Sequence, residues 1–168
     1  IKKVTKVISK LQPLPGRGEK VIINFDSKQK TIIIDDSYNA NPESMKAALY
    51  NFNNLKIEYS GFETVVIIGD MLELGNCATQ MHLDLVPILK KINPNLVLTV
   101  GKYAKKINDK LNLKISCHSY VEINELINDL KKFIKPNQII LLKGSNGTCL
   151  WKLVPIFKSI IQENANAA

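Results

Sequence analysis

Three apolar runs without polar alternation constrain this chain most: residues 65–69 (VVIIG), 96–100 (LVLTV) and 139–143 (IILLK). A strand with one face in water alternates polar and apolar side chains, whereas a strand covered on both faces does not. The runs therefore predict parallel strands buried between two layers of helix. Two further runs, 21–25 (VIINF) and 31–35 (TIIID), are separated by only 26–30 and read as a hairpin or as adjacent strands. Residues 114–118 (KISCH) read as a weaker, peripheral strand.

Between the runs lie helical patterns. One starts at Pro42, behind Asn41 as its N-cap, and continues through Met45, Ala48, Leu49 and Phe52. A second covers 79–91, with Met81, Leu85, Ile88 and Leu89 on one face and a kink at Pro87. Others cover 102–111, 120–133 and 148–162, with Trp151 and Phe157 at core spacing on the last. Strand followed by helix, repeated, predicts an α/β fold with right-handed crossovers: a Rossmann-like, doubly wound, mostly parallel sheet of about six strands with helices on both faces.

The beginning differs. Residues 1–11 carry a helical face (Ile1, Val4, Val7, Ile8, Leu11) with no strand before it, and the two prolines and two glycines that follow read as a linker or hinge. The expected organisation is the end of a preceding domain and a hinge over 1–13, one domain over 14–162, and a frayed tail over 163–168. A monomer is the default expectation.

Composition narrows the classes. A hydrophobic share of 45% in 168 residues is enough for one core-bearing domain. No apolar run approaches the roughly 20 residues that cross a bilayer, and the N-terminus lacks the apolar core of a signal peptide. Cys77, Cys117 and Cys149 are scattered, which suits reduced thiols in a cytoplasmic protein better than a disulfide framework or a metal site. The net charge of +8 invites a nucleic-acid reading. Thinly spread lysines, a single arginine (Arg17) and no interleaved aromatics argue instead for a solvated basic surface, with neither nucleic acid nor membrane as partner.

In an open parallel sheet, ligands bind beyond the C-terminal ends of the strands. Three polar corners fall there: 35–42 (DDSYNANP), 69–75 (GDMLELG) and 143–148 (KGSNGT). Each alone is ordinary turn and cap chemistry; three at one edge of one sheet point to a binding site. The third resembles a phosphate cradle, yet it lacks the G-x-x-x-x-G-K-[ST] spacing, and G-x-G-x-x-G is absent from the chain. Lys143 is better read as a point charge for an anion such as a carboxylate. No nucleophile–base pair stands out. His118 reads as structural and His82 as a surface histidine.

The stretch D-D-S-Y-N-A-N-P-E-S-M-K-A-A-L (35–49) closely resembles a signature of the Mur ligases, in the form that adds D-Ala-D-Ala. L-P-G-R-G-E (14–19), G-D-M-L-E-L-G (69–75), V-G-K (100–102) and L-K-G-S (142–145) match in the same order. The resemblance covers nearly the whole chain but only the C-terminal domain of such enzymes; their UDP-binding domain and their central ATPase domain, with its G-T-N-G-K-T loop, are missing.

The resemblance implies an enzyme of peptidoglycan precursor synthesis that uses ATP and Mg2+ to phosphorylate the terminal carboxylate of UDP-MurNAc-tripeptide. The amine of D-Ala-D-Ala then attacks the acyl phosphate. Carried onto this sequence, Arg17, Asp36, Tyr38, Asn39 and Asn41 would face ATP. By charge matching, Asp70 and Glu73 would receive the dipeptide ammonium, and Lys143 with Ser145 its carboxylate. This part would hold no catalytic group, metal or cofactor of its own and would be inactive alone. A non-catalytic Rossmann-like nucleotide-binding module and a sibling ligase with another amino-acid substrate are the alternatives.

Overall fold

The buried runs form the middle of one sheet. A computed structural model describes residues 14–111 and 115–166, so the helix expected over 1–11 and residue Lys114 lie outside the described residues. The described residues form six strands: β1 (Glu19–Asn24), β2 (Lys30–Asp36), β3 (Glu63–Gly69), β4 (Leu96–Val100), β5 (Ser116–Tyr120) and β6 (Gln138–Lys143). Their spatial order is β1-β2-β6-β3-β4-β5. Only the β1–β2 pair is antiparallel, as a hairpin requires; all other pairs are parallel. Every residue of β6 is buried, whereas the edge strand β5 is largely exposed, which is why 139–143 reads as continuous apolar sequence and 114–118 does not.

Helices α1 (Pro42–Glu58), α2 (Ala78–Leu83), α3 (Val86–Ile92) and α4 (Lys105–Asn108) follow β2, β3 and β4. They and the turn between α2 and α3 bury Met45, Leu49, Phe52, Leu85, Leu89 and Ile107 against one face of the sheet. Helices α5 (Ile123–Asp129) and α6 (Leu153–Asn166) follow β5 and β6, and Leu126, Leu153 and Phe157 seal the opposite face. The chain therefore leaves β2 and β3 towards one face and leaves β6, lying between them, towards the other. That reversal is the topological switch point, where open α/β sheets form a crevice.

Local chemistry fixes the start of α1. The Asn41 side chain accepts from the Ser44 N–H (2.8 Å), the Ser44 hydroxyl accepts from the Asn41 N–H (3.0 Å), and Pro42 opens the first turn. The helix expected over 79–91 is instead two. Pro87 has no N–H for the carbonyl four residues back, so α2 ends at Leu83 and α3 begins anew at Val86. The patterns over 102–111 and 120–133 contain shorter helices than expected. Val100 pairs with Tyr120, which carries β5 into what read as helix. Residues ahead of Lys105 form a turn held by Asp70, described below.

At the switch point the backbones of β3 and β6 approach closely. A Cβ on Gly144 would stand 2.9 Å from Gly69 Cα and 2.9 Å from Thr148 Oγ1. Gly144→Ala is thus expected to overpack this seam and cost about 1–3 kcal/mol of stability. Urea unfolding should show a lower midpoint with an unchanged slope.

Candidate functional site

The β2 corner joins two separated motifs. Gly16, at φ +72°, lies so close to Tyr38 that a Cβ there would sit 3.1 Å from the Tyr38 backbone nitrogen. The Gly16 carbonyl accepts the Tyr38 N–H (2.9 Å), and the Asp35 carbonyl accepts the Gly18 N–H (2.8 Å). The Arg17 guanidinium then stacks 4.0 Å from the centre of the Tyr38 ring. Inside the corner, Ser37 donates its hydroxyl to Asp35 Oδ1 (2.5 Å), and Asn39 Oδ1 accepts the Ala40 N–H (2.8 Å). The Tyr38 ring and the Asn39 and Asn41 side chains face outward; Tyr38 is 49% exposed.

The β3 corner is held from both sides. Asp70 is buried, and its Oδ1 accepts the N–H groups of Tyr103 (3.0 Å) and Ala104 (2.6 Å), starting the turn that leads into α4. That closeness requires glycine at 101, where φ is +116° and a Cβ would stand 2.4 Å from the Asp70 carboxylate carbon. The Leu72 N–H donates to Ser145 Oγ (2.9 Å), and Ser145 N–H donates to the Asp70 carbonyl (3.0 Å). Glu73 is exposed and holds a left-handed backbone, φ +65°.

At the end of β6, Lys143 is only 3% exposed. Its ammonium donates to the carbonyls of Asn39 (2.6 Å) and Asp36 (3.3 Å) and pairs with the Asp36 carboxylate (3.1 Å).

The three corners meet. A cavity of about 360 Å³ is lined by Asn39 and Asn41 from the first, Glu73 from the second, and Ser145, Asn146 and Gly147 from the third. A neighbouring cavity of about 460 Å³ shares Leu72 and Gly147 with it and extends over Gly101, Lys102 and Glu122. A third, of about 500 Å³, lies on the α6 side of the β2 corner between Tyr38, Asn146 and Trp151. The structure thus gathers Tyr38, Asn39, Asn41 and Glu73 on open surface along one rim, with Asp70, Lys143 and Ser145 behind it, bonded to neighbouring corners. Asn146, Lys102 and Glu122 join the rim; the first two lie inside sequence motifs that assign them no role, and nothing near Glu122 marks it, because strand order alone brings it there.

Two expectations are corrected. Trp151, read as core with Phe157, is 48% exposed while Phe157 is 1% exposed, because turns of 3₁₀ helix at 146–148 and 150–152 shift the phase ahead of α6. His82, read as a surface residue, is fully buried: Nδ1 donates to the Ala78 carbonyl (2.6 Å) and Nε2 accepts the Met71 N–H (2.9 Å).

Residues 16–146 match the family described as Mur ligase, glutamate ligase domain. The UDP-N-acetylmuramoyl-tripeptide–D-alanyl-D-alanine ligase of Rickettsia prowazekii is 36% identical over 153 residues, covering 91% of this chain and 32% of that protein. The enzyme of the same name from Bacillus subtilis is 32% identical over 134 residues, 77% of this chain and 28% of its own length. Crystal structures of MurF from Acinetobacter baumannii (TM-score 0.73, 24% identity, 96% of this chain and 34% of that one) and of MurF from Thermotoga maritima in complex with ADP (TM-score 0.69, 21%, 96% and 36%) share the fold. The chain spans about a third of the length of these relatives.

Beneath the rim, His82 couples the β3 corner to pH. Burial, the larger effect, pushes its imidazole below the ordinary 6.5, against the opposing pull of the Ala78 carbonyl and of Asp70, 3.8 Å away. A proton on Nε2 would also displace the Met71 N–H. Below pH 6.5 the folded state therefore binds fewer protons than the unfolded one, and this contribution to stability, complete above that value, is lost progressively as pH falls below it towards the lowered pKa of the folded state. Urea midpoints are expected to drop between about pH 7 and pH 5, and His82→Gln is expected to flatten that part of the profile.

Proposed function

Because the chain belongs to the Mur ligase family, we propose that it is the C-terminal third of a cytoplasmic ATP-dependent amide ligase that joins D-Ala-D-Ala to UDP-MurNAc-tripeptide in peptidoglycan precursor synthesis. The observation that carries this reading is the cavity at the switch point, to which all three family-like corners contribute. The reaction begins with transfer of the ATP γ-phosphoryl group to the tripeptide carboxylate. The dipeptide amine adds to the resulting acyl phosphate, and phosphate leaves as the amide forms.

No side chain of this domain is assigned a proton transfer; its work is to bind and orient. Arg17, Asp36, Tyr38, Asn39 and Asn41 form the nucleotide half. Tyr38 offers a ring already backed by Arg17, and the amide side chains offer donors for base and ribose acceptors. That the Thermotoga maritima MurF was solved in complex with ADP supports a nucleotide-using enzyme. On the dipeptide half, Glu73 faces the ammonium from open surface, while Asp70 and Ser145 hold the β3 corner that carries it. Lys102, exposed in the adjoining cavity, suits the dipeptide carboxylate, since the buried Lys143 ammonium already has three acceptors. Among the described residues, no group of three His, Cys, Asp or Glu side chains could hold a metal ion.

Two measurements test the reading. This chain alone is expected to turn over no ATP, and measurable turnover would contradict its role as half a site. In the full-length chain, Glu73→Gln should raise the KM for D-Ala-D-Ala by roughly tenfold or more, the scale of one charge-assisted hydrogen bond, and leave the KM for ATP nearly unchanged. Equal KM values for wild type and variant would remove Glu73 from the dipeptide site.

A further inference from the structure

We propose that Lys143 is a positioning residue for the nucleotide half of the rim: it touches neither substrate and fixes the β2 corner from beneath. The proposal rests on the reading above in one respect, that the β2 corner is where nucleotide binds. An ammonium has three protons and no acceptor. At Lys143 all three are directed at the β2 corner: the Asp36 carboxylate (3.1 Å), the Asp36 carbonyl (3.3 Å) and the Asn39 carbonyl (2.6 Å). Substrate carboxylate could reach this nitrogen only by displacing one of them, and the side chain is 4% exposed.

The two carbonyls bracket the segment that matters. Only Ser37 and Tyr38 lie between Asp36 and Asn39, so a single cation holding both ends sets the direction in which Tyr38 and the Asn39 amide leave the sheet. The strand register supplies the tie, because Asp36 and Lys143 are lateral neighbours in the parallel β2–β6 pair. Further support for the corner comes from the linker, through the Gly16 carbonyl on the Tyr38 N–H. The β3 corner, in contrast, takes its hold from Ser145 and His82 and has no bond to Lys143 among those described. Loss of the Lys143 charge should therefore disturb nucleotide and dipeptide binding unequally.

The experiment uses the full-length chain, with the KM for ATP and for D-Ala-D-Ala measured separately. Lys143→Met is expected to raise the KM for ATP roughly tenfold and to leave the KM for the dipeptide within about twofold. A raised dipeptide KM with unchanged ATP KM would overturn the proposal by placing the lysine on substrate; no change in either would overturn it as well. Should Lys143→Met fail to fold, the double variant D36N/K143M, which buries no unpaired charge, is compared with D36N alone, and the double variant should still show the higher KM for ATP. Amide hydrogen exchange separates failure of this proposal from failure of the functional reading. Even in a chain without ligase activity, loss of the lysine should speed exchange at Tyr38 and Ala40 but not at Leu72, and unchanged exchange at Tyr38 and Ala40 overturns the pin.

Discussion

Burying an ammonium in a protein costs several kcal/mol unless opposite charge and hydrogen-bond acceptors surround it. The central strand of this sheet ends on such a group, and the rim is organised around its neutralisation. Lys143 closes a strand buried along its whole length, with β2 on one side and β3 on the other. Asp36 supplies the charge, and two carbonyls of the β2 corner supply the remaining acceptors. The corner must therefore curl back over β6 instead of running outward with β2. A polar residue at the end of an apolar strand thus determines the shape of a loop more than a hundred residues earlier in the chain.

The same sideways logic recurs along the rim. Asp70 at the end of β3 holds the turn after β4; Ser145 after β6 holds the loop after β3; His82 from α2 holds Met71 in that loop. Each corner is braced by a polar group belonging to another element. The polar side chains of the three motifs thereby divide in two. Those facing sideways are buried and satisfied, as buried polar groups need to be. Those facing outward, Tyr38, Asn39, Asn41 and Glu73, are left on a rim whose backbone is already fixed. Such preorganisation lowers the ordering cost that binding would otherwise incur.

This division also explains what could be read in advance. The strands were legible because unbroken apolar runs such as VVII and IILL have few other solutions, and the start of α1 was legible because Asn41, Pro42 and Ser44 carry a local capping code. That the three corners share a rim followed from their places after parallel strands. Which way each polar group points did not. Lys143 looks equally suited to a ligand or to a neighbour until β6 is known to lie beside β2, a non-local fact. His82 reads as surface only until the Met71 N–H, eleven residues earlier, is known to reach its Nε2. Periodicity fails where helices break: Pro87 splits one expected helix, and the 3₁₀ turns before α6 bring Trp151 to the surface.

Glu73 adds a constraint of a different kind. A left-handed backbone at a residue with a side chain costs of order 1 kcal/mol, and glycine would avoid the cost, as Gly75 does two residues on at φ +54°. Glutamate there puts a carboxylate on open surface in a cavity it shares with Asn39, Asn41 and Asn146. The resulting cavity offers amides and one acid, chemistry suited to an amine and to neutral hydrogen-bonding edges, not to a triphosphate. Under the proposed function, phosphate-binding backbone and cations would have to come from outside this rim. Corners fixed in advance would then let an amine be aligned with an activated carboxylate without first ordering the loops that hold it.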